Sequence, residues 1–472
     1  MPHGNTQSAI AAELESAVAT LAPGARLPSV RELMARHRAG PGTVQRAIAA
    51  LVARGVVEAQ PGRGTFVAAA PAGAGDARPG GDLGWQTLAL GPARPFDAAA
   101  LEDLLRPPAR GEHVLSTGYL PSDLQPVGPL AHAVARAARR PGSWDRVPVE
   151  GIAPLRRWFA AEIGGDAHPD DVLVCPGGQG ALTACFRALT TPGTPVVVES
   201  PTYLGVLAVA RAAGVTPVPV PTDRDGVRPE HLAEALTRTG ARLAYLQPTF
   251  ANPHGGTLAR ERRAAVLAAA AGAGAFLIED DAFRHLGHDE REPPPPPLVH
   301  DDRDGHVVHL RSLTKPSSAG LRVAGLLARG SAAARLRATR VVDDYFVAGP
   351  LQETAVELVS SPAWRTHLRR LRRELRARRD ALAAAVDREL GPERIAVLPR
   401  GGMHLWVRLD PHEDDVALAA RAARAGVVVS PGRPFFPAEP DGSFLRLTYA
   451  GATPERLAEG VARLAAIRRG MG

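Results

Sequence analysis

The chain has 472 residues, enough for roughly two or three domains with a large buried core. Its net charge of +7 favours binding to a polyanion, and its two cysteines, Cys175 and Cys185, exclude a disulfide framework and lack metal-ligand spacing. The first residues lack a basic segment followed by an apolar run, and no apolar stretch reaches about 18 residues. We therefore expect a cytoplasmic protein with neither a signal peptide nor a membrane span.

The first segment, residues 8–67, predicts three helices followed by a hairpin. The first helix ends before Pro23 and Gly24, and Ser29 is suited to cap the second helix, VRELMARH. A turn over residues 39–42 precedes the third helix, TVQRAIAALVARG, and the strand-like runs GVVEA and GTFVA follow. Helical spacing directs inward Ile10, Leu14, Val18, Leu21, Val30, Leu33, Met34, Val44, Ile48 and Leu51. This order is typical of a winged helix-turn-helix, and we assign residues 1–70 to it.

The composition changes after this segment. Residues 71–111 are rich in Ala, Gly and Pro with little to bury, which predicts a flexible linker. Residues 112–472 then alternate helices with the apolar runs DVLVC, PVVVES, ARLAYLQP, AFLIEDD and HVVHLRS. That alternation predicts an α/β domain with a largely parallel sheet.

Two segments of this second domain have more than one interpretation. The run Pro293–Pro297 is expected to be an extended surface spacer rather than a ligand for a peptide-binding domain. Residues 364–380 carry eight arginines. We favour a solvated face of a long helix for them, and a DNA-facing strip is the alternative.

Residues suited to DNA lie at defined places in the first segment. The second helix of a helix-turn-helix enters the major groove, where Thr43 suits a phosphate and Gln45 can pair with adenine. Arg31 is placed for phosphate or guanine, and Arg63 lies at the wing tip, where a narrow minor groove attracts arginine. The complete set that we expect at the DNA is Ser29, Arg31, Thr43, Gln45, Arg46, Arg63 and Gly64.

These motifs resemble the winged helix of the GntR regulators. LPSVREL, TVQRA and GRGTFV occur in the order of that family and span nearly all of residues 8–67. Many members have Ser-Arg where this chain has Gly40-Pro41, so one common arginine contact is missing and the operator sequence cannot be transferred. A small interaction module that binds no DNA is the alternative interpretation.

Four segments of the second domain carry chemistry. A glycine-rich turn, PGGQG, links a strand to a helix around Gly178 and offers backbone N–H groups to a phosphate. The run ESPTY places the ring of Tyr203 at a strand end, where it can cover a planar cofactor. Asn252 follows the strand LAYLQP, and Asp280 ends the strand AFLIED. Each segment alone is equally consistent with an ordinary loop.

The fourth segment, RSLTK, contains the single lysine of the chain. Of the 56 lysine and arginine residues, only Lys315 is a lysine. A guanidinium stays protonated and cannot form a Schiff base, whereas a lysine amine can be tuned to do so. The hydroxyls of Ser312 and Thr314 and the guanidinium of Arg322 surround Lys315 with phosphate donors.

Together these segments resemble the fold type I aminotransferases over residues 112–472. The resemblance implies bound pyridoxal 5′-phosphate with Lys315 as its Schiff-base lysine, Asp280 on the pyridine nitrogen and Asn252 on the 3′-oxygen. It implies that Tyr203 stacks on the ring. The residues implied to hold the phosphate are Gly178, Gln179, Ser312, Thr314 and Arg322. In SFLRLTYA, Arg446 matches the arginine that grips a substrate carboxylate.

Two positions depart from that family. A tyrosine shortly after the aspartate commonly donates to the 3′-oxygen, and Ala282 and Phe283 stand there instead. A hydroxyl-bearing residue is usual at Gly178. Neither change removes cofactor binding, and both place efficient transamination in doubt.

A winged helix joined to an aminotransferase-like domain is the arrangement of the MocR subfamily of GntR regulators. The resemblance implies a dimeric transcription regulator whose large domain senses an amino compound or the cofactor itself. The alternatives are a working aminotransferase with an incidental winged helix, and a cofactor reservoir that binds no DNA. The sequence names neither the effector nor the operator.

Overall fold

The computed structural model describes residues 10–11, 13–14, 17, 25–53, 57–60, 64–67, 85–90, 101–102, 105–107, 109 and 111–470. The chain divides into two compact units, Met1–Ala93 and Arg94–Gly472. Val18, Leu21 and Arg63, which the sequence places in the first helix and at the wing tip, lie outside the described residues.

The first unit has the predicted winged-helix elements. They are α1 (Val30–His37), α2 (Pro41–Ala53), β1 (Val57–Gln60) and β2 (Gly64–Val67). Residues 10–11, 13–14 and 17 of the first predicted helix are also helical, and a further helix, α3 (Trp85–Leu90), comes after the hairpin in the chain. Strands β1 and β2 pair antiparallel, from Val57 opposite Val67 to Gln60 opposite Gly64. Its core contains Ile10, Leu14, Leu27, Leu33, Val44, Ala47, Ile48, Leu51, Val57 and Val67.

The starts of its helices follow from local chemistry. Ser29 caps α1 in a reciprocal capping box: its hydroxyl accepts from the backbone N–H of Glu32, whose carboxylate accepts from the backbone N–H of Ser29. Helix α2 begins at Pro41 and not at Thr43, so the expected turn over residues 39–42 is too long. Proline suits the first helical position because its missing N–H has no partner to lose there.

The interval expected to be a flexible linker contains regular structure. Helix α3 lies within residues 71–111, and residues 101–102 and 105 are also helical. The sequence WQTLAL of α3 has good helix formers and no glycine or proline, unlike the residues before it.

The second unit alternates helices and strands as the sequence predicts. Its first elements are β3 (His113–Val114), α4 (Val127–Ala138), α5 (Ala153–Ile163), β4 (Val172–Cys175), α6 (Gly177–Leu189), β5 (Pro195–Ser200), α7 (Leu204–Ala212), β6 (Thr216–Asp223), β7 (Gly226–Val227), α8 (Pro229–Thr239), β8 (Leu243–Leu246), α9 (Arg260–Ala273) and β9 (Phe276–Asp280). The remaining elements are β10 (Val307–Ser312), β11 (Ala324–Leu327), α10 (Gly330–Asp343), α11 (Gly349–Ser360), α12 (Pro362–Leu390), β12 (His404–Arg408), α13 (Asp415–Arg424), β13 (Val427–Val428), β14 (Ser430–Pro431), β15 (Phe444–Thr448) and α14 (Pro454–Arg468).

An eight-stranded sheet forms the centre of this unit, in the order β4-β11-β10-β9-β8-β5-β6-β7. The five strands from β10 to β6 run parallel, and β11 and β7 run against their neighbours. The prediction of a largely parallel sheet is confirmed. Because parallel strands end at the same edge, the segments after β5, β8, β9 and β10 meet there.

Both faces of the sheet are covered. One apolar cluster includes Leu155, Phe159 and Trp364, and the other includes Phe186, Tyr245 and Leu326. A smaller antiparallel sheet, β12-β15-β14, packs with α12 and α14 in a third cluster.

The arginine-rich helix is α12. Arg378 is buried and donates to Asp123, and Arg372 and Arg376 pair with Glu290 and Asp289. Part of this arginine set therefore stabilises the unit, which adds a structural role to the predicted solvated face. None of the described helices combines the length and the apolar character needed to cross a bilayer.

Candidate functional site

The segments that follow the parallel strands enclose a cavity at the carboxyl edge of the sheet. Its walls contain every residue predicted to hold the cofactor, and further side chains that the prediction did not include. The residues at the two positions that depart from the family also line it. The lining residues are Tyr119, Gly178, Gln179, Leu182, Tyr203, Gln247, Asn252, Asp280, Ala282, Phe283, Ser312, Thr314, Lys315 and Arg322.

Lys315 projects into this cavity between two aromatic rings. Its Nζ donates to the carbonyl oxygen of Gly118 at 2.8 Å and lies 4.4 Å from the ring centre of Tyr119 and 5.9 Å from that of Phe283. Burial, with the positive charge of Arg446, lowers the pKa of Lys315 to about 8. A substantial fraction of the amine is therefore neutral near physiological pH, as a nucleophile requires.

Asp280 ends β9 with both carboxylate oxygens engaged. Oδ2 accepts from the phenol of Tyr245 at 2.6 Å, and Oδ1 accepts from the backbone N–H of Ala282 at 3.2 Å. Burial raises the pKa of Asp280, and these two hydrogen bonds oppose the rise. A carboxylate held in this way can hold a proton on a ring nitrogen.

The opposite end of the cavity suits a phosphate. The Thr314 hydroxyl is buried without a hydrogen-bond partner, and Arg322 donates to the carbonyl of Pro176 at 3.2 Å and has no carboxylate partner among the described residues. A Cβ at Gly177 would lie 2.8 Å from Cζ of Arg322, so only glycine lets the guanidinium approach the first turn of α6. The backbone N–H groups at the start of a helix can bind an anion such as a phosphate.

Tyr203 and Gln179 hold each other in place on one wall. The phenol of Tyr203 donates to Oε1 of Gln179 at 3.1 Å, and Nε2 of Gln179 donates to the carbonyl of Gly205 at 3.2 Å. A Cβ at Gly205 would lie 2.3 Å from Cζ of Tyr203, so this glycine makes room for the ring.

Arg446 is a fully buried cation on β15. Its guanidinium donates to Oδ1 of Asn252 at 3.3 Å, to Oγ of Ser430 at 3.3 Å and to the carbonyl of Ser116. It has no carboxylate partner within the described part of the chain, and its Nε lacks a hydrogen bond. Burial lowers the pKa of Arg446, yet a guanidinium stays protonated at neutral pH. A buried charge without a counter-ion is costly, which makes this position suited to a ligand carboxylate.

Arg446 and Lys315 line a second, adjoining pocket. His404, Gly118 and Tyr119 also line it, as do Leu101 and Leu105 from the end of the expected linker. Leu101 packs against a cluster formed by Leu204, Trp406, Phe435, Phe436 and Phe444.

Four site residues escaped the sequence analysis: Tyr119, Gln247, Tyr245 and His404. The Gln247 amide oxygen and Nδ1 of His404 are buried without partners, and burial lowers the pKa of His404 so that it stays neutral. Two-residue alternation along LAYLQP could have found Tyr245 and Gln247, since both share a face of that run. Tyr119 lies in a loop and His404 begins a strand of the smaller sheet, where no motif marks them.

The two departures from the family have different structural consequences. Ala282 and Phe283 line the cavity without a hydroxyl. At Gly178 the nearest atoms to a built Cβ are Cδ2 of Leu310 at 3.6 Å and Cβ of Ser312 at 3.8 Å, so a side chain fits there. The space around residue 178 therefore does not require a glycine, and a hydroxyl-bearing side chain would fit there.

In the first unit, five of the residues expected at DNA lie at the starts of α1 and α2, Gly64 begins β2, and Arg63 lies outside the described residues. Arg31, Gln45 and Arg46 are exposed, and Arg46 donates to the Thr43 hydroxyl at 3.3 Å. The side chain of Ser29 serves as a helix cap. Gly64 has a φ of +123°, and its built Cβ would lie 3.0 Å from Nε of Arg26, an exposed arginine that the prediction omitted.

Comparison with known proteins agrees with this geometry. Residues 132–464 match the class I and II aminotransferases, and residues 6–67 match the gntR family of bacterial regulatory proteins. The chain belongs to the class I and II aminotransferase family and carries a GntR helix-turn-helix at its N-terminus, the MocR arrangement that the sequence predicts.

Its relatives include enzymes and regulators. The chain is 33% identical over 393 residues to a 2-aminoadipate transaminase of Thermus thermophilus, covering 82% of this chain and 98% of the relative. It is 31% identical over 480 residues to the HTH-type transcriptional regulator TauR of Rhodobacter capsulatus, covering 94% of this chain and 92% of the relative. The crystal structure of LysN, an α-aminoadipate aminotransferase of Thermus thermophilus complexed with N-(5′-phosphopyridoxyl)-L-leucine, superimposes with a TM-score of 0.74 at 32% identity and covers 80% of this chain and 96% of that one.

The cofactor of this class is pyridoxal 5′-phosphate, and the residues present fit it. The unpartnered Thr314 hydroxyl can bind the phosphate, as can Arg322, which lacks a carboxylate partner in the described ranges. Tyr203 can cover the ring, Asp280 can face the ring nitrogen and Lys315 can attach the aldehyde carbon.

Proposed function

We propose that this protein is a DNA-binding transcription regulator whose large unit senses an amino compound with a carboxylate. One observation carries this proposal: the fully buried Arg446 has no carboxylate partner among the described residues and shares a pocket with Lys315, in a chain that begins with a helix-turn-helix. A ligand with an amine and a carboxylate matches both groups. Pyridoxal phosphate, when bound, supplies an aldehyde carbon for which Lys315 and the ligand amine compete.

The roles that we propose for the individual residues follow their positions. Asn252 and Asp280 orient the cofactor ring, and Tyr203 covers it. The phosphate is held by Gly178, Gln179, Ser312, Thr314 and Arg322. Lys315 receives or returns a proton at Nζ when the ligand amine replaces it, and its lowered pKa makes that exchange accessible near neutral pH.

The contacts of one segment can transmit the effect of ligand binding toward the N-terminal side of the chain. The carbonyl of Ser116 accepts from Arg446 and that of Gly118 accepts from Lys315. Leu101 and Leu105 line the same pocket. A ligand that engages Lys315 and Arg446 competes for the contacts of Ser116 and Gly118, and it would lie beside Leu101 and Leu105, which belong to the expected linker. Coupling of this kind typically changes a second affinity about 5- to 150-fold.

We further propose that the regulator acts as a cytoplasmic homodimer on a two-part operator. Large apolar side chains are exposed on the second unit: Trp144 and Val342 are each 75% exposed, and Tyr345 is 68% exposed. Tyrosine and tryptophan are enriched at protein interfaces. A twofold dimer would present two winged helices to two half-sites. The residues that we propose to contact DNA are Ser29, Arg31, Thr43, Gln45, Arg46, Arg63 and Gly64.

A working aminotransferase is the second candidate, favoured by the retention of Lys315, Asp280 and Arg446 around one cavity. The absence of a phenol at Ala282 and Phe283 counts against rapid turnover. A half-reaction assay separates the two candidates: rapid conversion of the bound cofactor to pyridoxamine phosphate by common amino acids would favour the enzyme.

The proposal is tested with the DNA upstream of the gene. A fluorescent fragment is titrated with the cofactor-free protein, with the cofactor-loaded protein, and with the loaded protein plus single amino compounds. The panel contains the common L-amino acids, β-alanine, 4-aminobutyrate and taurine. We expect at least one compound to change both the visible absorbance of the cofactor and the affinity for DNA. If no combination alters the affinity for DNA, the sensing role is wrong.

A further inference from the structure

Tyr245 contacts Asp280, a residue that lines the cofactor cavity, and has no role in the proposed function. It is on β8, the parallel neighbour of β9, and its side chain is fully buried. Its phenol donates to Oδ2 of Asp280 at 2.6 Å. The phenol therefore contacts the carboxylate that would face the ring nitrogen of bound pyridoxal phosphate.

The direction of this hydrogen bond is fixed by the surroundings. Burial and the neighbouring charge of Asp280 raise the pKa of Tyr245 well above its ordinary value, so the phenol remains a donor across the physiological range. Asp280 accepts a second hydrogen bond from the N–H of Ala282. Each carboxylate oxygen thus has one donor from the protein, which fixes the orientation of the carboxylate.

Hydrogen bonds to an ionised carboxylate make it a weaker base. A weaker base at this position would hold a proton on the ring nitrogen of bound pyridoxal phosphate less firmly, and the ring would then withdraw fewer electrons from its bond to Lys315. The positions that commonly carry a phenol for the 3′-oxygen are Ala282 and Phe283 in this chain. The described cavity therefore has a buried phenol on the carboxylate of Asp280 and none at residues 282 and 283.

We propose that Tyr245 is a positioning residue that fixes Asp280 and weakens its hold on the ring proton. The cofactor is thereby biased toward stable attachment rather than turnover. This inference rests on the proposed attachment of pyridoxal phosphate at Lys315 and does not depend on DNA binding.

The test is a pH titration of the visible absorbance of the cofactor-loaded protein, with Tyr245→Phe compared with wild type. Without the phenol, Asp280 becomes a stronger base, the ring nitrogen retains its proton and the attached imine loses its own proton more readily. The midpoint of the titration should shift to lower pH by about 0.5 to 1 unit, a threefold to tenfold change in proton affinity. Incorporation of 3-fluorotyrosine at residue 245, a stronger donor of nearly the same size, should shift the midpoint to higher pH.

The matched control is Tyr449→Phe, which removes a fully buried phenol that donates to the carbonyl of Gly401 at 2.9 Å and lies 3.3 Å from Nε2 of His288. This variant should lose stability without moving the midpoint. In an Asp280→Asn background, Tyr245→Phe should produce no further shift. If Tyr245→Phe folds poorly, the midpoint measured for the protein with 3-fluorotyrosine at residue 245 tests the proposal by itself.

The outcomes separate this inference from the proposed function. A wild-type protein without a visible band contradicts cofactor attachment at Lys315. A normal wild-type band with an unchanged midpoint in both Tyr245 proteins overturns only the positioning role. A shift equal to that of Tyr449→Phe overturns it as well, because a general loss of stability would then be the cause.

Discussion

Replacement of Arg446 by methionine isolates the contribution of the ligand carboxylate. Within the described residues, the fully buried guanidinium has hydrogen bonds only to Asn252, Ser430 and the carbonyl of Ser116. A ligand carboxylate would give it a charge-assisted, bidentate partner in a dry environment. Truncation of one member of such a pair typically costs about 2–5 kcal/mol.

Part of that value is lost to competition. The guanidinium must give up some of its present hydrogen bonds when a carboxylate binds, each with a net value of about 1 kcal/mol. A net contribution of about 2–3 kcal/mol remains, which corresponds to about 30- to 150-fold in affinity. The folded protein should tolerate the change within about 2 kcal/mol, because removal of an unpaired buried charge offsets the lost hydrogen bonds.

The assay compares amino acids with the amines that lack only their carboxylate. The pairs are alanine with ethylamine, leucine with 3-methylbutylamine, and phenylalanine with 2-phenylethylamine, each titrated by the visible absorbance of the cofactor-loaded protein. Wild type should bind the preferred amino acid about 30- to 150-fold more tightly than its amine, and Arg446→Met should bind both nearly equally. Arg408→Met, on the adjacent strand with an exposed side chain, is the control and should retain the wild-type ratio. A ratio in Arg446→Met equal to that of wild type would refute the assignment of Arg446.

Four further outcomes are expected. Gly178→Ser should bind pyridoxal phosphate several-fold more tightly in equilibrium dialysis, since a Cβ fits at residue 178 and the serine hydroxyl can reach the phosphate. Gly177→Ala should bind the cofactor more weakly, because the alanine Cβ would meet Arg322. The rate of cofactor attachment, followed by stopped-flow absorbance, should rise with pH and level off above the Lys315 pKa of about 8, because only the neutral amine attacks. Arg446→Met should move the midpoint of this rise to higher pH. A rate that still increases past about pH 10 in wild type, the range of an unperturbed lysine, would contradict the lowered pKa. Gln45→Ala should reduce the preference for the upstream DNA over unrelated DNA by about 1–3 kcal/mol in fluorescence anisotropy, and an unchanged preference would exclude base contact by Gln45. Ser29→Ala should destabilise the first unit by about 1 kcal/mol in thermal unfolding because α1 loses its cap, and an unchanged transition would argue against the capping box.

The cofactor cavity was predictable because its residues lie at strand ends. Asn252, Asp280 and Lys315 each follow a run of buried apolar residues, and parallel strands bring their carboxyl ends to one edge. The local sequence therefore located these three residues at the cavity, although it contains no information on the distances between them. Arg446 was predicted only through a short motif on a different sheet.

The residues that escaped prediction depend on tertiary packing. Tyr119 reaches Lys315 from a loop far earlier in the chain, as the 197-residue separation of Gly118 and Lys315 shows. His404 enters the adjoining pocket from the smaller sheet. No chemical motif marks either position, and only the packing of the smaller sheet and this loop against the cavity brings them to the site.

Boundaries were the least predictable part of the first unit. Helix α2 starts at Pro41 because proline is favourable at the first helical position, although Gly40 and Pro41 together also suit a turn. Composition identified residues 71–111 as a linker, yet the short apolar run WQTLAL within them is helical. The average composition of residues 71–111 conceals this short helical segment.

The most direct test of the central claim is DNA affinity measured against the state of Lys315. The cofactor-loaded wild-type protein and Lys315→Ala, mixed with the same concentration of pyridoxal phosphate, are titrated onto the upstream DNA with and without the amino compound that changes the wild-type absorbance. We predict that this compound changes the affinity of wild type about 5- to 150-fold and leaves that of Lys315→Ala unchanged. An equal change in both proteins, or no change in wild type, would contradict the account.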